Sequence, residues 1–395
     1  MSEIKEVVIV GAARTAIGGF GGSLKSLNSA QLGTIAAREA IQRANVEAGM
    51  IQSCIVGNVI RNSPKDSYLA RVIGIDSGLS PDSHAVTVNR LCGSGLEAIV
   101  QAAQQIQLGE VNTALAGGAE SMSNSSYSLA SNRWGQRMGN STILDDLTTT
   151  LQDPWDDYHM GITAENVAEK YGISREEQDA FTAESHRRAA AAIDAGHFRE
   201  QIVPVELKSR KGVTVFDTDE HVRGDTTAEG LSALKPFFKK DGTVTAATSS
   251  GINDGAAMVV LMEAGKAEKE GRSPLGRLVG FAHAGVEPHL MGEGPIPAVR
   301  KVFARTGLNL DDIDVIESNE AFAAQALAVS RELGLPADKV NPNGGAVALG
   351  HPVGATGGIL TTKVLYELKR TGGRYGLVTM CIGGGQGIAA IFERL

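Results

Sequence analysis

Short apolar runs alternate along this chain with stretches in which apolar positions recur every three or four residues. Val7 to Val10 reads as a strand, a connection rich in glycine (Gly18, Gly19, Gly21, Gly22) follows, and Ala30 to Arg43 reads as a helix. Val86 to Val88 is another strand. Behind it Leu96, Ile99, Val100, Ala103 and Ile106 repeat at helical spacing, with Ser94 placed to cap the helix and Gly109 to stop it. Thr113 to Ala116 reads as the next strand, closing at Gly117-Gly118. This recurrence of strand, glycine turn and helix predicts a layered α/β domain with parallel strands.

The last third repeats the pattern. Asp314 to Glu317 is strand-like and runs straight into a helix from Glu320 to Leu333. The loop Asn341 to Gly358 feeds a helix whose apolar positions include Leu360, Val364, Leu365 and Leu368. Tyr375 to Cys381 is a strand, and Ile388 to Phe392 reads as a closing antiparallel strand after Gly383-Gly384-Gly385-Gln386-Gly387. Because a cysteine or histidine precedes a helix in both halves, we read a duplicated fold: two similar α/β halves, the first interrupted by residues 122–251.

Composition sharpens this picture. That interrupting stretch holds 20 acidic and 14 basic residues, net −6 of the chain's total of −8, so it is compositionally distinct. With an acidic balance and no long Lys/Arg cluster, a nucleic-acid or anionic-membrane partner is not expected. No apolar run approaches the roughly 18 residues needed to span a bilayer, and the opening MSEIKEVVIVGAART lacks the marks of a signal peptide; the expectation is a cytoplasmic protein. Glycine is abundant, 48 of 395 residues, yet a chain with this much Val, Ile and Leu is not disordered, so the glycine serves turns and close backbone approaches. Of these, 13 lie in the last 55 residues.

Those late glycines flank reactive side chains. Cys92, in Asn89-Arg-Leu-Cys-Gly-Ser-Gly-Leu96, stands between a strand and the start of a helix. There the helix dipole and free N–H groups lower a thiol's pKa and can hold an oxyanion; the alternative is a small buried apolar residue. His351 lies in a loop with six glycines among residues 341–358 and is fixed between Gly350 and Pro352. Such an imidazole can take a thiol proton or donate to an oxyanion, or it is a structural turn residue. Cys381 meets the glycine run 383–387, which fits neither GxGxxG nor GxxxxGK[ST], so a second thiol acting as acid or base is the better reading than a phosphate loop. Asn319 either orients a water or substrate carbonyl or caps the helix behind it. The three cysteines, Cys54, Cys92 and Cys381, show no metal-like spacing, and no metal is expected. Two thiols, one imidazole and one carboxamide suggest covalent acyl chemistry followed by a second proton transfer; hydrolysis needs only one thiol.

The motifs Asn89-Arg-Leu-Cys92-Gly-Ser-Gly-Leu96, Asn319-Glu-Ala-Phe322, Gly344-Gly-Ala-Val-Ala-Leu-Gly-His351-Pro-Val-Gly-Ala-Thr-Gly357 and Cys381-Ile-Gly-Gly-Gly-Gln-Gly387 resemble, in order and spacing, the four active-site motifs of the thiolases. The resemblance covers the whole chain, including Val8 to Gly18 and His159 to Asn166, and is similar to the short-chain bacterial β-ketothiolases of the acetyl-CoA acetyltransferase type. It implies two duplicated βαβαβαββ halves in an α/β/α/β/α arrangement: residues 1–121 with 252–273, an inserted loop domain at 122–251, and 274–395. It implies reversible condensation of two acetyl-CoA to acetoacetyl-CoA and CoA, with coenzyme A as substrate and product and no separate cofactor.

The resemblance also implies roles. Cys92 would be acylated with His351 activating its thiol, and Cys381 would move the proton of the second acetyl group. One oxyanion hole would be His351 with a water on Asn319; the other would be the N–H groups of Cys92 and Gly383. Ser250 and His159 would line the pantetheine path, and Met160, Met291 and Phe322 the acyl pocket. Arg223 would meet the nucleotide part of CoA, ahead of Lys208, Arg210, Lys211, Lys239 and Lys240. Segment 125–145, with Arg133, Trp134 and Arg137, corresponds to the loop that builds a homotetramer. Thr248-Ser249-Ser250-Gly251 departs from the family's Asn-Ala-Ser-Gly, which puts detail of the CoA pocket in question. A broader, degradative 3-ketoacyl-CoA thiolase is the alternative. Related ketoacyl synthases generally carry a second histidine where Cys381 stands, and an inert acyl-CoA binding protein would have lost a reactive residue.

Overall fold

In the computed structural model, which describes residues 4–210 and 212–395, the first apolar run becomes strand β1 (Val7–Thr15). Its side chains alternate faces: Val7 and Ile9 enter one hydrophobic cluster, Val8 and Val10 another. The chain then builds α1 (Ser29–Arg43), whose start is fixed by a reciprocal Asn28/Gln31 capping box. Strands β2 (Ser53–Gly57), β3 (His84–Val88), β4 (Thr113–Ser121) and β5 (Asn253–Glu263) complete the first half, with α2 (Ser94–Gln107) between β3 and β4.

The second half comprises β6 (Gly276–Gly285), β7 (Ile313–Ser318), β8 (Tyr375–Ile382) and β9 (Gln386–Glu393). Among the described residues these nine strands form one sheet path, β7-β8-β9-β6-β1-β5-β4-β2-β3. Outward from the central β1–β6 junction both sides repeat the same sequence of antiparallel, antiparallel and parallel pairs. Where the first half continues with β3, the second has only an isolated parallel bridge, Ile316 to Val340. This is the expected duplicated βαβαβαββ order.

The halves are held face to face by a shared middle layer. Helix α2 and its counterpart from the second half (Thr356–Thr371) bury Leu96, Ile99, Val100, Ile106, Leu360, Val364 and Leu365 in one cluster with residues of both half-sheets. Outside lie α1 on one face, and Pro295–Thr306 and Ala323–Leu333 on the other. The layers thus run α/β/α/β/α. The crossing in the middle layer needs glycine: a Cβ on Gly357 would sit 2.1 Å from the Leu96 backbone nitrogen.

Residues 122–252 connect β4 to β5. They form helices Met160–Tyr171 and Arg175–Asp194 and a hairpin (Val205–Ser209 with Gly212–Phe216), and they lend the sheet a short strand, Ile202–Val203, parallel to the end of β1. Buried Arg14 of β1 clamps this region by a bidentate pair with Asp219 (2.8 and 2.9 Å) and a bond to Gln201.

Three sequence expectations shift. Gly117-Gly118 does not close its strand: β4 runs on to Ser121, because the bare backbone there admits the Ala257 and Gly354 carbonyls, each 2.0 Å from where a Cβ would stand. Ser94 is the first residue of α2, not its cap. Its hydroxyl instead accepts from Arg90 N–H and donates to the Leu91 carbonyl, tightening the turn in front of the helix. The helix expected from Glu320 starts at Ala323, since residues 319–322 are held outside it: Asn319 N–H donates to the Thr379 carbonyl and Phe322 bridges to Ser249. Asn319 is therefore free of the capping duty that was its alternative reading.

Candidate active site

A reactive residue precedes each of the two middle-layer helices, Cys92 before one and His351 before the other, and both line one cavity. Cys92 sits on a sharp turn ahead of Ser94–Gln107, where Leu91 is held at φ +46° and the Asn89 side chain accepts from Leu91 N–H. The turn can approach the other half only because of glycine: a Cβ on Gly93 would fall 2.5 Å from the Ile382 side chain, and one on Gly383 2.9 Å from Leu91. As a result the backbone N–H groups of Gly383 and of Cys92 itself reach the Cys92 thiol.

His351 is buried in the loop before Thr356–Thr371. Its backbone N–H donates to Asn253 Oδ1 (2.9 Å), its Nδ1 lies 2.6 Å from Thr356 Oγ1, and its Nε2 faces the Asn319 amide at 3.5 Å. The Asn319 Oδ1 is buried without a partner, which suits an acceptor that waits for a water. Cys381, fully buried at the end of β8, lies close enough to Cys92 for their charges to interact.

Burial decides the electrostatics. It pushes the Cys92 thiol up to about 11, although the N–H groups of Gly383 and Cys92 work the other way; it raises Cys381 further still and lowers His351 to about 4. The lowered Cys92 pKa expected from its place before a helix is thus corrected: loss of water outweighs the N–H groups of Gly383 and Cys92. At neutral pH the site rests with both thiols protonated and the imidazole neutral.

The cavity holds about 320 Å³ and is lined by Cys92, His351, Cys381, Gly383, His159, Met160, Ser250, Met291 and Phe322, all singled out in the sequence. Missed there were Val59, Leu91, Thr150, Leu151, Phe237, Phe238, Ala246, Ile252, Ala321 and Val353, most of them apolar; Leu91, Ile252, Ala321 and Val353 stand inside or beside the quoted motifs, whereas the others carry no such signal in the sequence. His159 caps the helix Met160–Tyr171 by accepting from Gly161 N–H at Nδ1 and stacks on Phe238 with centroids 4.8 Å apart. That leaves its Nε2 as a neutral donor.

Arg223 is not in this cavity. It lines an adjoining one of about 300 Å³ with His186, His221, Leu231, Ser249 and others, and Ala246 belongs to both walls. Lys208, Arg210, Lys239 and Lys240 line neither, and Lys239 pairs with Glu169; Lys211 lies outside the described residues. Trp134 is 91% exposed in the segment 125–145, and Arg133 and Arg137 lie with it at the surface. Cys54 is an inert core thiol of β2, beside Gly74, raised to about 12 by burial.

The departure at 248–251 is accommodated. Thr245 and Thr248 exchange hydroxyl-to-backbone bonds, Ser249 donates to the Thr245 carbonyl, and the Thr248 carbonyl and Ser250 N–H pair with Ala323 and Ala321 beside the Asn319 loop. Three supports also escaped the sequence reading: Thr356, Asn253 and Glu120. The buried Glu120 carboxylate accepts from the N–H groups of Val59, Ile60 and Gly354 and so anchors the loop carrying His351. Thr356 and Asn253 do lie inside quoted motifs, five residues after His351 and in Asn253-Asp-Gly255. Among the described residues no His/Cys/Asp/Glu cluster is arranged for a metal ion, and no helix is long and apolar enough to cross a membrane.

Comparison with known proteins settles the family. Sequence profiles of the thiolase N-terminal and C-terminal domains match residues 7–265 and 272–394. The chain belongs to the thiolase family. This thiolase is 56% identical over 392 residues to the beta-ketothiolase BktB of Cupriavidus necator, covering 99% of this chain and 100% of the relative. It is 48% identical over 394 residues to an acetyl-CoA acetyltransferase of Escherichia coli, again at 99% and 100% coverage. Among solved structures it is similar to the Bacillus anthracis acetyl-CoA acetyltransferase (TM-score 0.98, 45% identity) and to human mitochondrial 3-ketoacyl-CoA thiolase (TM-score 0.97, 43% identity), each covered completely by this thiolase and covering it completely.

Proposed function

We propose that this thiolase is an acetyl-CoA C-acetyltransferase, which condenses two acetyl-CoA reversibly to acetoacetyl-CoA and CoA. The observation that carries the reading is the convergence of two unbridged thiols, Cys92 and Cys381, and one imidazole on a single apolar cavity, with the Gly383 N–H aimed at the Cys92 sulfur. One thiol serves as nucleophile and the other as acid/base, which a hydrolase does not need.

In the first half-reaction Cys92 gives its proton to His351 and attacks the thioester carbonyl. The N–H groups of Cys92 and Gly383 receive the oxyanion, and CoA leaves with the proton from His351. Cys381 next passes its thiol proton to His351 in the shared cavity, and the thiolate so formed removes a methyl proton from the second acetyl-CoA. The resulting enolate oxygen lies against the protonated His351 and a water on Asn319, its carbon attacks acyl-Cys92, and the expelled Cys92 sulfur takes its proton from His351. Because these donors are fixed by the fold, they need no reorganisation as charge develops.

Ser250 and His159 line the route of the pantetheine arm, and Met160, Met291 and Phe322 surround the acyl group. Arg223, which makes no ion pair among the described residues, faces the CoA phosphates from the adjoining cavity. Residues 122–251 form the CoA-binding insert, and 125–145 the contact of a homotetramer, an assignment supported by the exposed Tyr127, Trp134, Met138 and Ile143. The need for two reduced thiols fits a reducing, cytoplasmic setting. A second reading, a broader 3-ketoacyl-CoA thiolase, is favoured by a cavity of about 320 Å³ walled mainly by apolar side chains; relative rates on acetoacetyl-CoA and longer 3-ketoacyl-CoAs separate the two.

The test is labelling with radioactive acetyl-CoA alongside acetoacetyl-CoA thiolysis. Cys92→Ser should take up no label, whereas Cys381→Ser should be labelled but fail to condense or cleave. Equal labelling of Cys92→Ser and the wild type would refute the assignment.

A further inference from the structure

We propose that Asn341 and Glu320 are positioning residues, which together clamp the chain on both sides of Asn319 and set its carboxamide for the carbon–carbon step. The inference rests on the thiolase reading above. Its ground is that the Asn319 side chain does not hold itself. Its carboxamide meets only His351, at 3.5 Å, and its Oδ1 has no partner among the described residues. One backbone bond, from Asn319 N–H to the Thr379 carbonyl at 2.9 Å, fixes the residue itself. Where its side chain lies then depends on the residues before and after it.

Asn341 grips both. It is 3% exposed; its Oδ1 accepts from Ser318 N–H at 3.0 Å, and its Nδ2 donates to the Ser318 carbonyl at 2.8 Å. An N–H can only donate and a carbonyl can only accept, so these two backbone groups fix which way the carboxamide faces. Nδ2 also donates to Glu320 Oε1 at 2.8 Å. One side chain thus holds the residue before Asn319 and the residue after it. To reach them Asn341 stands at φ +43°, in the left-handed region that asparagine enters more readily than most residues.

Glu320 carries the hold outward. Its buried Oε2 accepts from Val347 N–H at 3.2 Å, in the loop that leads to His351, and bonds Ser185 Oγ at 2.7 Å, on the insert helix Arg175–Asp194. A Cβ on Gly345 would fall 2.1 Å from the Glu320 carboxyl carbon, so bare backbone lies against it. His351 has further ties of its own: Asn253 holds its backbone, Thr356 meets its ring, and Glu120 holds Gly354. Loss of the clamp therefore falls first on Asn319. The consequence is specific, because acylation of Cys92 uses His351 and the N–H groups of Cys92 and Gly383, whereas Asn319 and its water act only when an enolate oxygen forms. The clamp serves one half-reaction and not the other.

The experiment measures two rates for wild type, Asn341→Gly and Glu320→Gln: thiolysis of acetoacetyl-CoA, and exchange of radioactive CoA into acetyl-CoA, which needs acyl-Cys92 but no enolate. Glycine adopts φ +43° without strain, so Asn341→Gly removes the clamp and spares the backbone. Glu320→Gln keeps the volume but turns an NH₂ against either Asn341 Nδ2 or Val347 N–H. Each variant should lower kcat for thiolysis by about 10- to 100-fold while exchange changes by less than about threefold. In an Asn319→Ala background Asn341→Gly should lower thiolysis no further, as expected when both changes act through one group. Equal loss in the two reactions, or an undiminished effect of Asn341→Gly in Asn319→Ala, would overturn the proposal. Should Asn341→Gly not fold, Glu320→Gln decides by the same ratio of thiolysis to exchange. Wild-type exchange controls for the parent reading, because its absence sinks the thiolase assignment, whereas an exchanging wild type with an unaltered Asn341→Gly sinks only the clamp.

Discussion

Lys363 offers the sharpest test of how buried charge supports this site. It lies in the middle-layer helix, 2% exposed, with its ammonium 2.7 Å from Glu317 Oε2 and 2.8 Å from the Gly344 carbonyl. Glu317 lies near the end of the strand that leads to Asn319, and Gly344 lies in the loop that leads to His351. One cation therefore pins the segments that carry Asn319 and His351. Lys363→Met keeps the aliphatic stem but leaves a buried carboxylate unpaired, a change that costs about 3–5 kcal/mol.

The cost should depend on pH with a defined sign. Burial holds the Glu317 pKa above its ordinary value even beside Lys363, so its protonated form is the one the fold favours; this contribution is present at low pH and lost as pH rises through the folded pKa. Without the ammonium the carboxyl shifts up further. The difference between variant and wild type should then grow by about 1.4 kcal/mol per pH unit between the two folded pKa values. Urea midpoints at pH 6 and 9, paired with kcat at each pH, read this directly. Because Glu317 Oε1 already lacks a partner, the double variant Lys363→Met/Glu317→Leu should recover most of the lost stability. A single-variant cost below about 1 kcal/mol, an equal cost at both pH values, or a double variant weaker than the single would refute the reasoning.

Two further outcomes follow from the geometry. Gly118→Ala, whose Cβ would meet the Gly354 carbonyl at 2.0 Å, should lower stability by about 3 kcal/mol or more and cut activity by displacing the His351 loop; Gly49→Ala, with nothing within 4 Å, should fall within about 0.5 kcal/mol of wild type in the same thermal unfolding assay. Arg223→Ala should raise the KM for CoA in thiolysis about tenfold, equivalent to about 1.4 kcal/mol, at nearly unchanged kcat. Lys208→Ala, at a residue that lines neither cavity, should leave KM as it is, and equal effects of the two would count against the phosphate role of Arg223.

Much of this was legible because the signals are local. Glycine flanking Cys92, His351 and Cys381, and the strand-to-helix placement of Cys92, can be read from neighbours in the chain. The direction of the Cys92 pKa could not. A helix N-terminus is visible in sequence, but the amount of water removed from a thiol depends on Ile382 and Gly383, which only the fold brings against the Cys92 turn. Gly117-Gly118 misled for a related reason: a glycine pair signals a turn locally, while here it marks contact with Ala257 and Gly354, distant in the chain. Thr356 and Asn253 stood inside recognised motifs, yet their use as partners of His351 needs coordinates, because a hydroxyl's direction is not a property of its sequence position.

The same burial explains why a neutral resting site suits this chemistry. A preformed thiolate and imidazolium would hold His351 in the protonated state before substrate arrives, and the nucleophile would be exposed to stray electrophiles. With Cys92 raised to about 11 and His351 lowered to about 4, the ion pair is unfavourable until an acyl carbonyl is present to accept the charge. In the proposed mechanism the donors for that charge are the N–H groups of Cys92 and Gly383, whose positions follow from the close fit of Gly93 and Gly383 against the opposite half. Stabilisation is thus reserved for the charged transition state, where it accelerates the reaction, and withheld from the ground state, where it would not. Since the donors serve attack and departure of either thioester, the arrangement lowers the barrier equally for condensation and for thiolysis.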